Sequence, residues 1–306
     1  MKKALVIVGT RPEAIKMARV CDEIKRSEKL ELQTLVTGQH KAMLDQVIEL
    51  FNLDINHNLC LMAENQTPSD VLVRAIPKIE EVIDKLEPDH ILVHGDTITT
   101  LAGALAAFYQ KKNLSHVEAG LRTNNLFSPY PEESNRRLTS HIASLHFAPT
   151  TESKNNLLKE GISETNIFVT GNTVIDSLLY IKSEIDEDVD FQNNIKKKYE
   201  KRLLDSKIIL TTFHRRENFG EGIKDICKSI KQVAKDHKEY TFLVTVHPNP
   251  NIRQVVYDYL ADTENIYLKP PMDYKEFVYF LSKCFCVLSD SGGLQEEAPT
   301  FNKPVL

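Results

Sequence analysis

No apolar run in the chain approaches the roughly 20 residues that a membrane-spanning helix needs. The longest, ALVIVG and IILTTF, are strand-sized. The start, MKKALVIVGTRPE, has two lysines before its apolar stretch. That stretch is too short for a signal peptide and no small-residue cleavage site follows, so it reads as a first strand and the protein as cytoplasmic. Positive charge is not in excess either. A net charge of −5 gives no reason to expect nucleic acid or an anionic membrane as partner. The five cysteines, Cys21, Cys60, Cys227, Cys284 and Cys286, form no CxxC pair and no even set, which excludes a disulfide framework. The alternation in CFC is that of a buried strand, where thiols act as small hydrophobes. Several catalytic signatures are also missing. Without GxGxxG there is no dinucleotide fingerprint, without HExxH or a dense His/Asp set no obvious metal centre, and without GxSxG no serine elbow.

What remains is an ordinary globular composition, 42% hydrophobic and 26% charged over 306 residues, long enough for two domains. Short strands rich in β-branched residues alternate with amphipathic helices. KKALVIVG leads into RPEAIKMARVCDEIKRSE, LELQTLVTG into HKAMLDQVIELF, and the helix PSDVLVRAIPKIEEVIDKL runs into PDHILVHGD. Such alternation predicts parallel sheets covered by helices. The same rhythm resumes with KIILTTFHRREN, YTFLVTVHPNP, NIYLKP and CFCVLSDSGGLQEEA. The expected architecture is α/β, with two Rossmann-like domains, 1–172 and 173–306, facing a central cleft. The charge-dense stretch 181–205 is expected to be a solvated helical connector. NKPVL looks like the start of a further strand, so the second domain is expected to be short of a closing βα unit.

Ligands of open parallel sheets bind beyond the carboxyl ends of the strands, so the residues there carry the functional reading. The first strand is followed by Thr10, Arg11, Pro12 and Glu13, with Lys16 a turn further on, and the second by Gln39 and His40. VHGDT supplies His94 and Asp96, and HVEAGLRT supplies Glu118 and Arg122. In the second half come His214, Arg215, Arg216 and Glu217, then His247, then Ser291, Gly292, Gly293 and Glu297. Each has a bland alternative: Asp96 suits a helix cap or turn, and His94 and His116 suit buried, hydrogen-bonded histidines. Six polar sites at six strand ends form a pattern that a sheet fold gathers together. Arg11, Lys16, His214 and the Ser291-Gly292-Gly293 turn are cationic or rich in N–H donors and suit a diphosphate. Asp96, Glu118 and Glu132 are acidic, and mutual repulsion should raise the pKa of at least one, as proton transfer requires.

The motifs GTRPEAIKMA, TGQH, HGDT, HVEAGLRT, SPYPEESNR, TGNTVID, HRREN, VHPNP and DSGGLQEEAP closely resemble, in order and spacing, the non-hydrolysing UDP-N-acetylglucosamine 2-epimerases. The resemblance implies a GT-B-like fold and interconversion of UDP-GlcNAc and UDP-ManNAc by elimination and re-addition of UDP through 2-acetamidoglucal, for cell-surface polysaccharide precursors. It implies no redox cofactor, no metal, and a homodimer. Matched residue by residue, Asp96, Glu118, Glu132 and His214 fall on catalytic positions. Arg11, Lys16, Arg136, Ser291, Gly292, Gly293 and Glu297 fall on substrate-binding ones. Gln39, Arg74 and His247 match a second UDP-GlcNAc site of bacterial members, where Ala42 departs from the usual glutamine. The family continues beyond KPVL with segments that close the second domain. Three other readings compete: an epimerase of another UDP-N-acetylhexosamine, a UDP-sugar-binding protein without catalysis, and a metal-dependent phosphoesterase suggested faintly by VHGD.

Overall fold

The computed structural model describes residues 1–38, 41–61, 63, 66–213 and 220–306, apart from the side chains of 41–45 and 251. The chain divides into two compact units, Met1–Ser177 and Leu178–Leu306.

In the first unit the strands are β1 (Lys2–Val8), β2 (Leu30–Val36), β3 (His57–Asn58), β4 (His90–His94), β5 (Asn113–Val117), β6 (Leu145–Ala148) and β7 (Ile167–Val169). The helices are α1 (Arg11–Arg26), α2 (Lys41–Leu50), α3 (Pro68–Leu86), α4 (Ile98–Tyr109), α5 (Glu132–Ile142) and α6 (Thr151–Lys159), with α7 (Thr173–Glu187) crossing the unit boundary. The seven strands pair in parallel in the order β3-β2-β1-β4-β5-β6-β7. β1 runs through five buried residues, Ala4–Val8, as a central strand covered on both faces must. α3 occupies the span predicted for it. Thr67 caps it by accepting the Asp70 N–H, and Pro68 opens its first turn, where a missing N–H costs nothing. α3 and α4 bury a core that includes Leu5, Ile7, Ile79, Ile83, Ile91 and Val93. α4 lies close because the residues it turns inward are small, among them Ala102, Ala106 and Ala107.

The chain leaves β1 towards β2 and later returns to β4 on β1's other side. The order therefore reverses between β1 and β4, and the carboxyl ends of these two strands flank a crevice, the usual ligand position in an open α/β sheet. A separate groove of about 620 Å³ lies against α1 and the first turn of α7. Its floor is sheet side chains such as Ala4, Leu92, Val117, Leu145 and Phe147, and it does not contain Asp96, Glu118 or Glu132.

In the second unit β8 (Lys207–Thr212), β9 (Tyr240–Thr245), β10 (Ile266–Lys269) and β11 (Cys286–Ser289) form a parallel sheet in the order β10-β9-β8-β11, reversing between β8 and β11. Val305 makes a parallel bridge to Val287 of β11. The helices are α8 (Val189–Lys198), α9 (Lys201–Leu204), α10 (Glu221–Asp236), α11 (Pro250–Leu260), α12 (Tyr274–Lys283) and α13 (Gly292–Glu297). Cys227, Ile230, Phe242, Val244, Val256 and Leu260 build its core.

The stretch 181–205 is helical but not simply solvated. Ile181, Ile185, Ile195, Tyr199 and Leu203 are buried. The Tyr199 ring meets Phe280 of α12 edge-on at 4.7 Å, and Lys198 reaches the buried Glu276 at 2.7 Å. An apolar stripe at helical spacing is diluted by charges on the outer face, which is why composition alone conceals it.

Candidate active site

At the end of β4 the chain turns through Gly95, whose φ of +67° favours glycine, and enters α4. The cap of α4 is Thr97, which accepts the Thr100 N–H at 3.1 Å. Asp96 is therefore not the cap. Its carboxylate pairs with Arg136 of α5, and its carbonyl accepts from Asn135 Nδ2 at 2.9 Å. Burial pushes the Asp96 pKa up. Attraction to Arg136 pulls the other way, and repulsion from Glu118 and Glu132 adds to the rise. The raised carboxylate expected from the sequence is Asp96, with burial rather than repulsion as the principal cause.

Glu118 follows β5 with φ of +63°, a conformation few non-glycine residues adopt outside functional or tightly determined sites. Its carboxylate pairs with Lys16 of α1, accepts from Asn172 Nδ2 at 2.9 Å, and lies 3.8 Å from His94 Nε2. Burial opposes ionisation of Glu118. The attraction of His94 and Lys16, with the hydrogen bonds from Lys16 and Asn172, outweighs it and holds the pKa below the usual range. His94 itself is pushed down to about 4, chiefly by burial, so it is neutral at pH 7. At neutral pH the Glu118 carboxylate therefore depends on Lys16 and Asn172. The result is two carboxylates on neighbouring strands driven in opposite directions, a known means of separating acid and base roles.

Glu132 begins α5, which the chain enters through cis bonds at Ser128-Pro129 and Tyr130-Pro131. It is half-buried, and its charge is felt at Asp96. Its neighbour Glu133 is fully buried. It accepts the Thr123 N–H at 3.0 Å and holds Arg137 at 3.0 Å and Arg136 at 3.5 Å. That fixes the face of α5 that presents Arg136 to Asp96. His116, buried beneath, bonds the Gly95 carbonyl at 2.7 Å, and His146 bonds the Ser140 carbonyl of α5 at 2.8 Å. Both histidines are structural. Arg122, placed among the strand-end candidates by sequence, also turns out to be a strut. Its guanidinium is bidentate to Glu160 at 2.8 and 2.7 Å and bonds the Leu121 carbonyl at 2.7 Å.

The first unit thus brings together Lys16, Asp96, Glu118 and Arg136, with Glu132 alongside and Arg11 at the first position of α1. Lys16, read from sequence as a diphosphate donor, sits on Glu118. In the second unit Ser291 stands at the N-cap position of α13 without a side-chain capping bond, and Gly292, Gly293 and Glu297 lie along that helix. Arg74 bonds the Asp70 carbonyl from within α3 at 3.1 Å. His247, beyond β9, accepts the Asn249 N–H at 3.2 Å. Gln39 and His214 lie outside the described residues. Asn172 contributes to the site but was not among the strand-end residues read from the sequence, and Glu13 stood among them without a role. Asn172 stands within TGNT directly after β7, a strand end like those that carry the other site residues.

The family model described as UDP-N-acetylglucosamine 2-epimerase matches residues 22–306. A UDP-N-acetylglucosamine 2-epimerase of Neisseria meningitidis is 47% identical over 308 residues, covering 99% of this chain and 82% of that protein. The chain belongs to the UDP-N-acetylglucosamine 2-epimerase family. A crystal structure of the Neisseria meningitidis UDP-GlcNAc 2-epimerase bound to UDP-GlcNAc superposes with a TM-score of 0.92 at 46% identity, covering 99% of this chain and 82% of that one. The Methanocaldococcus jannaschii UDP-GlcNAc 2-epimerase, solved with UDP-GlcNAc and UDP, gives 0.85 at 32% identity, covering 100% and 83%. As in these 2-epimerases, the chain is α/β with parallel sheets. Among the described residues no helix is long and apolar enough to cross a membrane.

Proposed function

We propose that the chain epimerises UDP-N-acetylglucosamine at C2 to UDP-N-acetylmannosamine, reversibly, by eliminating UDP and adding it back. The observation that carries the reading is the carboxylate pair at the β1/β4 crevice: Glu118 held ionised by Lys16 and Asn172, and Asp96 raised by burial beside Arg136. Membership of the family supports the substrate class.

The C2–H bond of the sugar is a weak acid, because no carbonyl lies beside it to take up the charge. Loss of the proton must therefore accompany departure of the C1 oxygen. A carboxylate takes the C2 proton, the C–H electrons become the C1=C2 bond of 2-acetamidoglucal, and the C1–O electrons leave with UDP. Positive charge developing at C1 is stabilised by the acidic cluster, and the resemblance assigns Arg11, His214 and the Ser291-Gly292-Gly293 turn to binding the diphosphate. Re-addition of UDP with protonation on the opposite face of C2 gives the epimer. Delivering protons to two faces requires two acid-base groups, and Asp96 and Glu118, with Glu132, are the candidates. Glu297 is assigned to the ribose hydroxyls.

We further propose, from the resemblance, that Gln39, Arg74 and His247 take part in binding a regulatory nucleotide sugar, tested by whether UDP-GlcNAc is required to turn UDP-ManNAc over. A homodimer in the cytoplasm completes the reading. The resemblance supports the dimer, and the free cysteines, four of them buried, fit a reducing compartment. The reaction itself is tested by proton NMR of UDP-GlcNAc incubated with the protein. Anomeric signals of UDP-ManNAc, with traces of free UDP and the glucal, are expected. Unchanged UDP-GlcNAc, alongside turnover of a 6-deoxy or 6-carboxy analogue, would reassign the substrate.

A further inference from the structure

We infer that Glu13 is a positioning residue for epimerisation, locking the turn that launches Arg11 and Lys16 to the turn that carries Asp96. The inference rests on the epimerase reading above. Glu13 is 2% exposed, and both carboxylate oxygens are engaged. Oε2 accepts the N–H of Gly9 at 3.0 Å and of Thr10 at 2.7 Å, both in the β1–α1 turn. Oε1 accepts the Thr97 hydroxyl at 2.7 Å and lies 3.1 Å from the Thr100 hydroxyl, both in the first turn of α4. One side chain thus joins segments more than 80 positions apart in sequence, at the point where strand order reverses.

A helix cap alone does not explain this arrangement. Holding the N-terminus of α1 requires only Oε2 and the Thr10 N–H. The second oxygen is spent on Thr97, which caps α4 and directly follows Asp96. The two segments also touch without slack: a Cβ on Gly9 would lie 2.0 Å from Thr99 Oγ1. The carboxylates of Asp96 and Glu118 work on a single sugar carbon, and Lys16, which grips Glu118, hangs from the helix that Glu13 anchors. A shift of the α1 turn relative to the α4 turn therefore changes the spacing of the acid-base pair. Misplacement of about 1 Å costs up to about 100-fold in rate.

The hydrogen-bond pattern specifies which substitution should preserve the lock. The Thr100 hydroxyl donates to the His94 carbonyl, leaving its oxygen to accept. Burial raises the pKa of Glu13, which favours a neutral side chain there. Glutamine can keep its oxygen on the two backbone N–H groups and present its amide to the threonine oxygens. Alanine can do neither.

The test compares wild type, E13A and E13Q in the full chain, measured well below each Tm, with amide exchange at Gly9, Thr10 and Thr100. E13A should lose about 10- to 100-fold in kcat and lose protection at Gly9 and Thr100. E13Q should recover kcat to within about three-fold and restore protection. An E13A enzyme with lowered Tm but wild-type kcat would overturn the proposal and leave Glu13 a helix cap. So would an E13Q enzyme as slow as E13A, because the charge rather than the geometry would then matter. If wild type itself fails to turn over UDP-GlcNAc, the functional reading has failed. The exchange arm still decides the lock, which unchanged Thr100 protection in E13A would refute.

Discussion

Replacing Lys16 with methionine keeps most of the side-chain volume and removes the cation seated on Glu118. Its partner is buried, so the carboxylate is left without a counter-charge, and breaking one side of such a pair typically costs about 3–5 kcal/mol. Protonation limits the part of that cost that comes from leaving the charge unpaired, which adds to the stabilisation lost with Lys16. At about 1.36 kcal/mol per pH unit, protonating a carboxyl of ordinary pKa 4.5 at pH 7 costs about 3.4 kcal/mol, and at pH 5 only about 0.7. The folded-state pKa of Glu118 lies below its unfolded value. Its stabilisation is therefore present above the unfolded value and lost as pH falls through the folded one. K16M lacks that contribution, so the two proteins should converge in acid. Urea unfolding should show K16M about 3 kcal/mol less stable at pH 7, with the gap narrowing as pH falls and closing only below the ordinary carboxyl pKa of 4.5. The acidic limb of its kcat–pH profile should also move to higher pH as Glu118 becomes easier to protonate. A loss at pH 7 that persists undiminished below pH 4.5 would show that the deficit is one of packing and not of charge.

Other changes separate chemistry from scaffold. Asp96→Asn should lower kcat by about 10²–10⁴-fold with a smaller change in UDP affinity by calorimetry, as expected of a group in proton transfer. Arg122→Met should do the reverse, lowering Tm through loss of the bidentate grip on Glu160 while kcat at low temperature holds within a few-fold. Gly9→Ala places a methyl 2.0 Å from Thr99 Oγ1 and should cost about 1–3 kcal/mol in urea unfolding, with kcat falling as the α4 turn is pushed aside.

The alternation of strands and helices made both parallel sheets legible, because each period appears in the apolar pattern. The acidic cluster was legible too, since Asp96, Glu118 and Glu132 all stand where strands end or α5 begins. Orientation was not. Arg122 sits four residues past Glu118 and looks equally available, yet Glu160, 38 positions away, claims it. Glu13 reads as an ordinary third residue of a capping box. Its bond to Thr97 and its contact with Thr100 exist only because β1 and β4 are neighbours in the sheet. The 181–205 stretch misled for another reason: composition averages over faces, and the buried Ile195, Tyr199 and Leu203 occupy only one of them.

The proposed epimerisation turns on the carboxylate cluster moving the C2 proton of a UDP-N-acetylhexosamine. The most direct measurement is mass spectrometry and NMR of UDP-GlcNAc incubated with the protein in D₂O. One deuterium at C2 is expected in both UDP-GlcNAc and UDP-ManNAc, formed at a rate that falls with Asp96→Asn. Formation of UDP-ManNAc that retains its C2 proton would contradict it, because epimerisation would then proceed without proton exchange at these carboxylates.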